Sequence, residues 1–269
     1  MKEQLENYIR QAAEQKIQSY PNGALVKVIA NGKIHPKINN ETTPFSVNWK
    51  LVKRSGNSIH VEERQENRHA YYGENGLQIS NTLDDEREKN ELRNYPDFTY
   101  ELEQHDERNP FFYDRQKAVQ YAETWWNSFN PKYRKFKDDC TNFISQCIYA
   151  GGFPMKYTGK RNSGWWYKNG NWSYSWSVAH AFQLFLASSK YTRTMDRPDQ
   201  LTYGDIICYD FEGDGRFNHN TIVTGKDDNG QPLVNAHTTN SRQRYWAYED
   251  SSAYTPNIRY RFFHIVGGA

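Results

Sequence analysis

The sequence predicts an α+β fold in two parts, a small α+β domain with a charged connector over residues 1–110 and a larger α+β domain over residues 111–269. Three observations carry this. An amphipathic segment opens the chain and short alternating stretches follow it. A charged stretch over residues 81–110 separates the halves. The second half then places its helix-period segments first and its β-branched and aromatic runs afterwards.

In the first part, Leu5, Tyr8, Ile9, Ala12 and Ile17 recur at roughly helical spacing within residues 2–18, and Pro21-Asn22-Gly23 closes that helix. The stretches ALVKVIA, FSVNWKLVKRSG, SIHVEER and HAYYGE, separated by Asn-Gly and Ser-Gly-Asn turns, read as a small antiparallel sheet. A short helix at 83–93 fits within the connector.

In the second part, Asp114 caps a helix whose stripe is Ala118, Val119, Ala122, Trp125, Trp126 and Phe129, ended by Asn130-Pro131. Asp138 or Asp139 caps the next, where Phe143, Ile144, Cys147 and Ile148 face inward and Gly151-Gly152 stops the run. Cys140 therefore falls in its first turn. An aromatic stretch and a third helix, SVAHAFQLFLASS, lead to the strands GDIICYDF, NTIVTG, PLVNAHT and NIRYRFFHIV.

Composition bounds the function. With 269 residues, of which 20 are Tyr and 8 Trp, the chain can bury a large core, while a mean hydropathy of −1.00 marks a polar exterior. No apolar run is long enough to span a bilayer, and no secretory leader opens the chain. The expected location is extracellular or the cell wall if a leader has been removed, and cytoplasmic otherwise. Residues 1–110 hold 15 Lys+Arg against 18 Asp+Glu, and residues 111–269 hold 19 against 14. That mild excess suits an anionic substrate as well as a scattered solvated face, and does not favour nucleic acid. Cys140, Cys147 and Cys208 match no paired zinc-ligand spacing and read as free thiols, the last two as small core residues. No cofactor is expected.

A thiol in the first turn of a helix lies where unpaired N–H groups favour the thiolate, although its neighbours also suit a core position. His219 stands where the polar turn DFEGDGRFN gives way to a strand. If NTIVTG and PLVNAHT form a hairpin turning near Asp228, His219 falls opposite His237 or Thr238; a turn one residue later moves the partner to about Asn240. Asn235 and His237 share a face, and His237 is the preferred orienting residue for a Cys140–His219 pair. Asp139, Tyr133 and Asn142 are candidate supports for an oxyanion met by N–H groups at the helix start. Asp210, Glu212, Asp214 and Gly215 imitate the start of a calcium loop, but its twelfth position is Thr221, so the segment reads as a polar turn and no metal is expected. Trp165, Trp166 and Trp176 suit either a substrate groove or core packing.

The order DRQKAVQYAETWWN, NPKYRKF, DCTNFISQCIYAGG, LTYGDIICYDF, FNHNTIVTG and VNAHT resembles the amidase-domain family of bacterial proteins, a branch of the papain-like superfamily related to NlpC-type and CHAP-type cell-wall hydrolases. The resemblance covers about residues 111–265. It implies a papain-like core, with Cys140 as nucleophile on a helix and His219 as base on a sheet, His237 matching the third position. It also implies amide hydrolysis, with a peptide or peptidoglycan substrate. The same thioester chemistry suits acyl transfer to an amine, and a non-catalytic wall-binding module is the reading from another class. Residues 1–110 lie outside the resemblance and suit a partner protein or a regulatory role.

Overall fold

The structure is a computed structural model, and the residues described are 1–20, 24–36, 42–56, 58–74, 76–81 and 112–267. The expected helix at 83–93 and the expected boundary near residue 110 lie outside them. The chain divides into two compact units, Met1–Asp97 and Phe98–Ala269. Both are mixed α+β, with antiparallel sheets and few helices.

In the first unit, helix α1 (Lys2–Ser19) accompanies an antiparallel meander of β1 (Leu25–Ile34), β2 (Thr42–Ser55), β3 (Ser58–Gly73) and β4 (Gly76–Asn81). Strand β2 alternates between partly exposed and buried positions from Thr42 to Lys53, so Phe45, Val47 and Trp49 share one face and form a core with Leu5 and Ala70. Tyr8, Ile9 and Ala12 of α1 pack on that core as their spacing requires, but Ile17 is exposed. The stretches SIHVEER and HAYYGE prove to be one strand. The polar residues between them stay in the ladder because Gln65, Glu66, Asn67 and Arg68 pair with Asn48, Val47, Ser46 and Phe45 of β2.

In the second unit, α2 (Arg115–Trp125) begins at Asp114, whose Oδ1 accepts the Lys117 N–H at 3.0 Å. It ends four residues before the expected Phe129. The Trp125 carbonyl, which an α-helix would offer to Phe129, instead accepts from Ser128 N at 3.1 Å and faces His237 Nε2 at 2.8 Å. Helix α3 (Cys140–Ala150) buries Phe143, Ile144, Cys147 and Ile148 and closes on Gly151, where a Cβ would lie 2.5 Å from the Tyr113 ring. A two-stranded ribbon, β5 (Tyr167–Lys168) with β6 (Asn171–Trp172), precedes α4 (Tyr174–Ser177) and α5 (Ala179–Ser188).

The remaining strands are β7 (Thr192–Met195), β8 (Ile206–Asp210), β9 (His219–Lys226), β10 (Pro232–Ala236), β11 (Asn240–Tyr245) and β12 (Arg259–Ile265). They form an antiparallel sheet in the order β11-β10-β9-β8-β12-β7. Side chains alternate across it. Ile206, Cys208, Ile222 and Phe263 join the helices in one core, and Ile207, Tyr209, Val223, Val234 and Phe262 form a second core with Tyr248 and Leu201 on the other face. No helix among the described residues is long and apolar enough to cross a membrane.

Candidate active site

Cys140 is the first residue of α3 and is 4% exposed. Three donors converge on its sulfur: the Thr141 hydroxyl with Oγ1 at 3.7 Å, the main-chain N–H of Asn220 and the Thr238 hydroxyl. Burial nevertheless pushes the thiol up to about 11, helped by the Asp138 charge and only partly opposed by these donors. Thr238 holds φ at 79°, a left-handed conformation that a β-branched residue adopts only under constraint and that clusters at functional sites.

Asp139 occupies the N-cap position, but its side chain does not cap the helix. Oδ1 accepts from Phe136 N and Asn142 Nδ2, both at 2.9 Å, and Oδ2 lies 2.8 Å from His237 Nδ1. With Asp139 turned away, the first N–H groups of α3 keep the anion-favouring character of an uncapped helix start. The His237 ring lies flat on Phe143, 4.0 Å between centroids, and its Nε2 faces the Trp125 carbonyl. Both ring nitrogens are thus engaged by oxygens of Asp139 and Trp125. Asp139 thereby ties α3 to the residue that follows β10. Asp139→Ala is expected to lower stability by about 3 kcal/mol, because it strands a buried histidine. Denaturant unfolding of both proteins measures this, and an unchanged midpoint would refute it.

His219 lies elsewhere. The register of β9 with β10 shifts between Leu233 and Val234, after which Val234 pairs with Val223 and Asn235 with Ile222. Continued to the start of β9, this puts Thr238 opposite His219 and His237 opposite Asn220. A one-residue difference decides which face a side chain takes. His237 therefore lies on the α2–α3 side with Asn220, while His219 pairs with Tyr209 and projects with it toward the second core. The expectation that His237 orients the His219 ring is corrected accordingly. His219 Nε2 is 3.3 Å from the Tyr248 hydroxyl, and its ring packs against Tyr209, Phe211 and Tyr248. Burial, reinforced by the charge of Arg244, lowers its pKa to about 3, so it is neutral.

The other candidates are also placed. Asn142 spends both amide hydrogens on the Arg134 carbonyl and Asp139, and its oxygen accepts from Trp176 Nε1 at 2.9 Å, so it has no donor left for an oxyanion. Tyr133 stacks on Trp176 and meets Tyr167 edge-on, a packing role. Trp165 and Trp176 are fully buried and Trp166 nearly so, which removes all three from a substrate groove. Their indole N–H groups bond inward, to Ser145 Oγ, Asn142 Oδ1, and the carbonyls of Lys160 and Ser163. Asn235, the alternative third residue, is held by Glu123 and Thr224. Asp210 accepts from the backbone of Gly213, Asp214 and Gly215, which makes the acidic segment a self-capped turn. Asn220, which sequence reasoning passed over, stands in the site. Its position beside a histidine at a strand entrance was the available signal.

Comparison with known proteins adds the family. Residues 112–263 match the profile of the "Putative amidase domain". The chain is similar to the uncharacterized protein YhbB of Bacillus subtilis (strain 168), 45% identical over 254 residues that cover 90% of this chain and 80% of YhbB. It is also 28% identical to the uncharacterized protein YjcM of the same organism over 162 residues, covering 55% of this chain and 37% of YjcM. No solved structure matches the chain at a significant level. With more than half of its length matched, and Cys140, His219 and His237 all inside the match, the chain belongs to the amidase-domain family.

Proposed function

We propose that residues 112–267 form a papain-like cysteine amidase in which Cys140 attacks the carbonyl carbon of an amide. The supporting observation is a thiol at the start of a buried helix, ringed by three hydrogen-bond donors, in a chain of an amidase family. A nucleophile helix packed on an antiparallel sheet is the arrangement a papain-like core requires.

The base we assign is His219. His237 has both nitrogens engaged, whereas His219 holds only a long bond to Tyr248 and adjoins the residue whose N–H meets the sulfur. With the thiol near 11 and the imidazole near 3, moving the proton in the closed site costs on the order of 10 kcal/mol. The thiolate–imidazolium pair is therefore made only when substrate binding turns the first residue of β9, so that His219 leaves Tyr248 and the second-core face and comes to the Cys140 side of the sheet. The S–H proton then passes to the imidazole as the S–C bond forms. The imidazolium returns it to the departing nitrogen, and water cleaves the thioester. The free N–H groups at the start of α3 meet the oxyanion.

The substrate class we infer is a peptide of the peptidoglycan kind, on the basic excess of residues 111–269. Arg134 and Arg161, both exposed, lie 5.0 and 4.5 Å over the Trp172 ring and place cations six residues before the nucleophile and on a neighbouring loop. The test is release of new amino groups from purified muropeptides. Cys140→Ala and His219→Ala are each expected to lose at least about 1,000-fold, with His237→Gln losing less. Equal turnover by wild type and Cys140→Ala would remove Cys140 from the mechanism.

A further inference from the structure

We propose that Asn220 is the residue by which this site selects amides that carry an N–H: its carboxamide oxygen accepts the N–H of the amide that Cys140 attacks. The inference rests on Cys140 being the nucleophile.

Asn220 is fully buried on the α3 side of β9, beside Thr141. Its Nδ2 donates to Thr141 Oγ1 at 2.8 Å, and Oδ1 has no partner, the one such buried side-chain atom among the described residues of the second unit. The orientation of the carboxamide follows from the hydrogens. Thr141 Oγ1 accepts from the Asn220 amino group, which turns the carboxamide oxygen away from Thr141 and leaves the Thr141 hydroxyl proton available to the Cys140 sulfur 3.7 Å away. The same residue supplies the main-chain N–H that meets the sulfur. One residue therefore meets Cys140 through its backbone and carries, on a side chain anchored to Thr141 at the start of α3, an unmade acceptor.

Buried acceptors are rarely left unmade, because burial without a partner costs more than a made bond returns. An amide N–H is the complementary group. A site built to hydrogen-bond a substrate N–H discriminates against the analogue that lacks it, since the acceptor is then stranded. Peptide bonds and primary amides fit this requirement, whereas esters and amide bonds to proline nitrogen do not. Asn220 is thus a specificity residue, distinct from the nucleophile and from the proton carrier.

Alkylation of Cys140 tests this without turnover. N-methyl-2-iodoacetamide and methyl iodoacetate deliver the same electrophilic carbon and differ by N–H against O. The two rates on the full chain are read by mass spectrometry at the Cys140 peptide, each divided by the rate with N-acetylcysteine at the same pH. Wild type is expected to favour the amide by about tenfold, the value of one hydrogen bond. Asn220→Ala should bring the ratio to that of the free thiol, and Asn220→Asp, which keeps an acceptor of the same shape, should retain it. A wild-type ratio equal to the free thiol's, or a preference that survives Asn220→Ala, overturns the proposal. The wild-type ratio alone decides it if Asn220→Ala does not fold. Absence of muropeptide hydrolysis with the preference intact would remove muropeptides as the substrate and leave Cys140 a nucleophile with this selectivity.

Discussion

Alkylation of Cys140 by iodoacetamide is expected to run about 100-fold slower at pH 7 than alkylation of an unperturbed thiol, and to rise about tenfold per pH unit up to pH 10. The reasoning weighs two opposed effects. A helix start favours a thiolate by about 0.3–1 kcal/mol at exposed positions, and three donors add to it. Against this stands removal of the sulfur from water, which dominates and leaves the thiol near 11. Reagents therefore meet a protonated sulfur at neutral pH. A rate that is fast and flat between pH 6 and 8 would instead mean a preformed ion pair, and would contradict the environment described for Cys140. The same shift has a consequence for stability. A thiol whose folded pKa lies above its unfolded value near 9 contributes stability below pH 9 that is lost as pH rises toward 11. Cys147, Cys208, Tyr113 and Tyr209 shift in the same direction by burial, so alkaline unfolding should set in early.

Much of this arrangement is legible in the sequence, because local rules fix it. The helix-period stripe of α3, its Gly151 stop and the β-branched runs of β8, β9 and β10 declare their elements, and with them the place of Cys140 at a helix start. Strand β11 is not legible. Its residues Asn240–Tyr245 are polar, and Ser241 and Arg244 are buried only because the ladder to β10 and an ion pair of Arg244 with Asp250 at 2.7 Å compensate them. The tryptophans are ambiguous for another reason. Trp165 and Trp176 bury their rings while satisfying each indole N–H on α3, and no one-dimensional pattern separates such a ring from one that lines a groove. The faces of the two site histidines turn on the shift between Leu233 and Val234. A β-bulge leaves little trace in composition, yet it exchanges the residues that stand opposite His219. The neighbouring histidine at the strand entrance points to Asn220, but the register is what puts it on the Cys140 side.

Acid should destabilise the protein through His219, by as much as about 5 kcal/mol between pH 6.5 and pH 3. In the unfolded chain the imidazole takes up a proton near pH 6.5, whereas the folded chain resists until about pH 3 because the ring is buried and Arg244 is near. Between those values the unfolded state binds the extra proton, so stability falls as pH falls through that window and is intact above it. Glu66, whose carboxyl is lowered against the effect of its burial by Lys16 and Arg68, adds its own acid loss at the lower end, which is why the variant matters. His219→Gln keeps a polar side chain that can bond Tyr248 but cannot titrate, and it should flatten the slope of unfolding free energy between pH 6.5 and 4.5 while leaving the steeper fall below it. An unchanged slope in that variant would mean that the ring is already solvated, and therefore that His219 faces the cleft in the free protein rather than being drawn from Tyr248 by substrate. The pH dependence of stability thus reads the resting position of the proposed base, independently of any measurement of turnover.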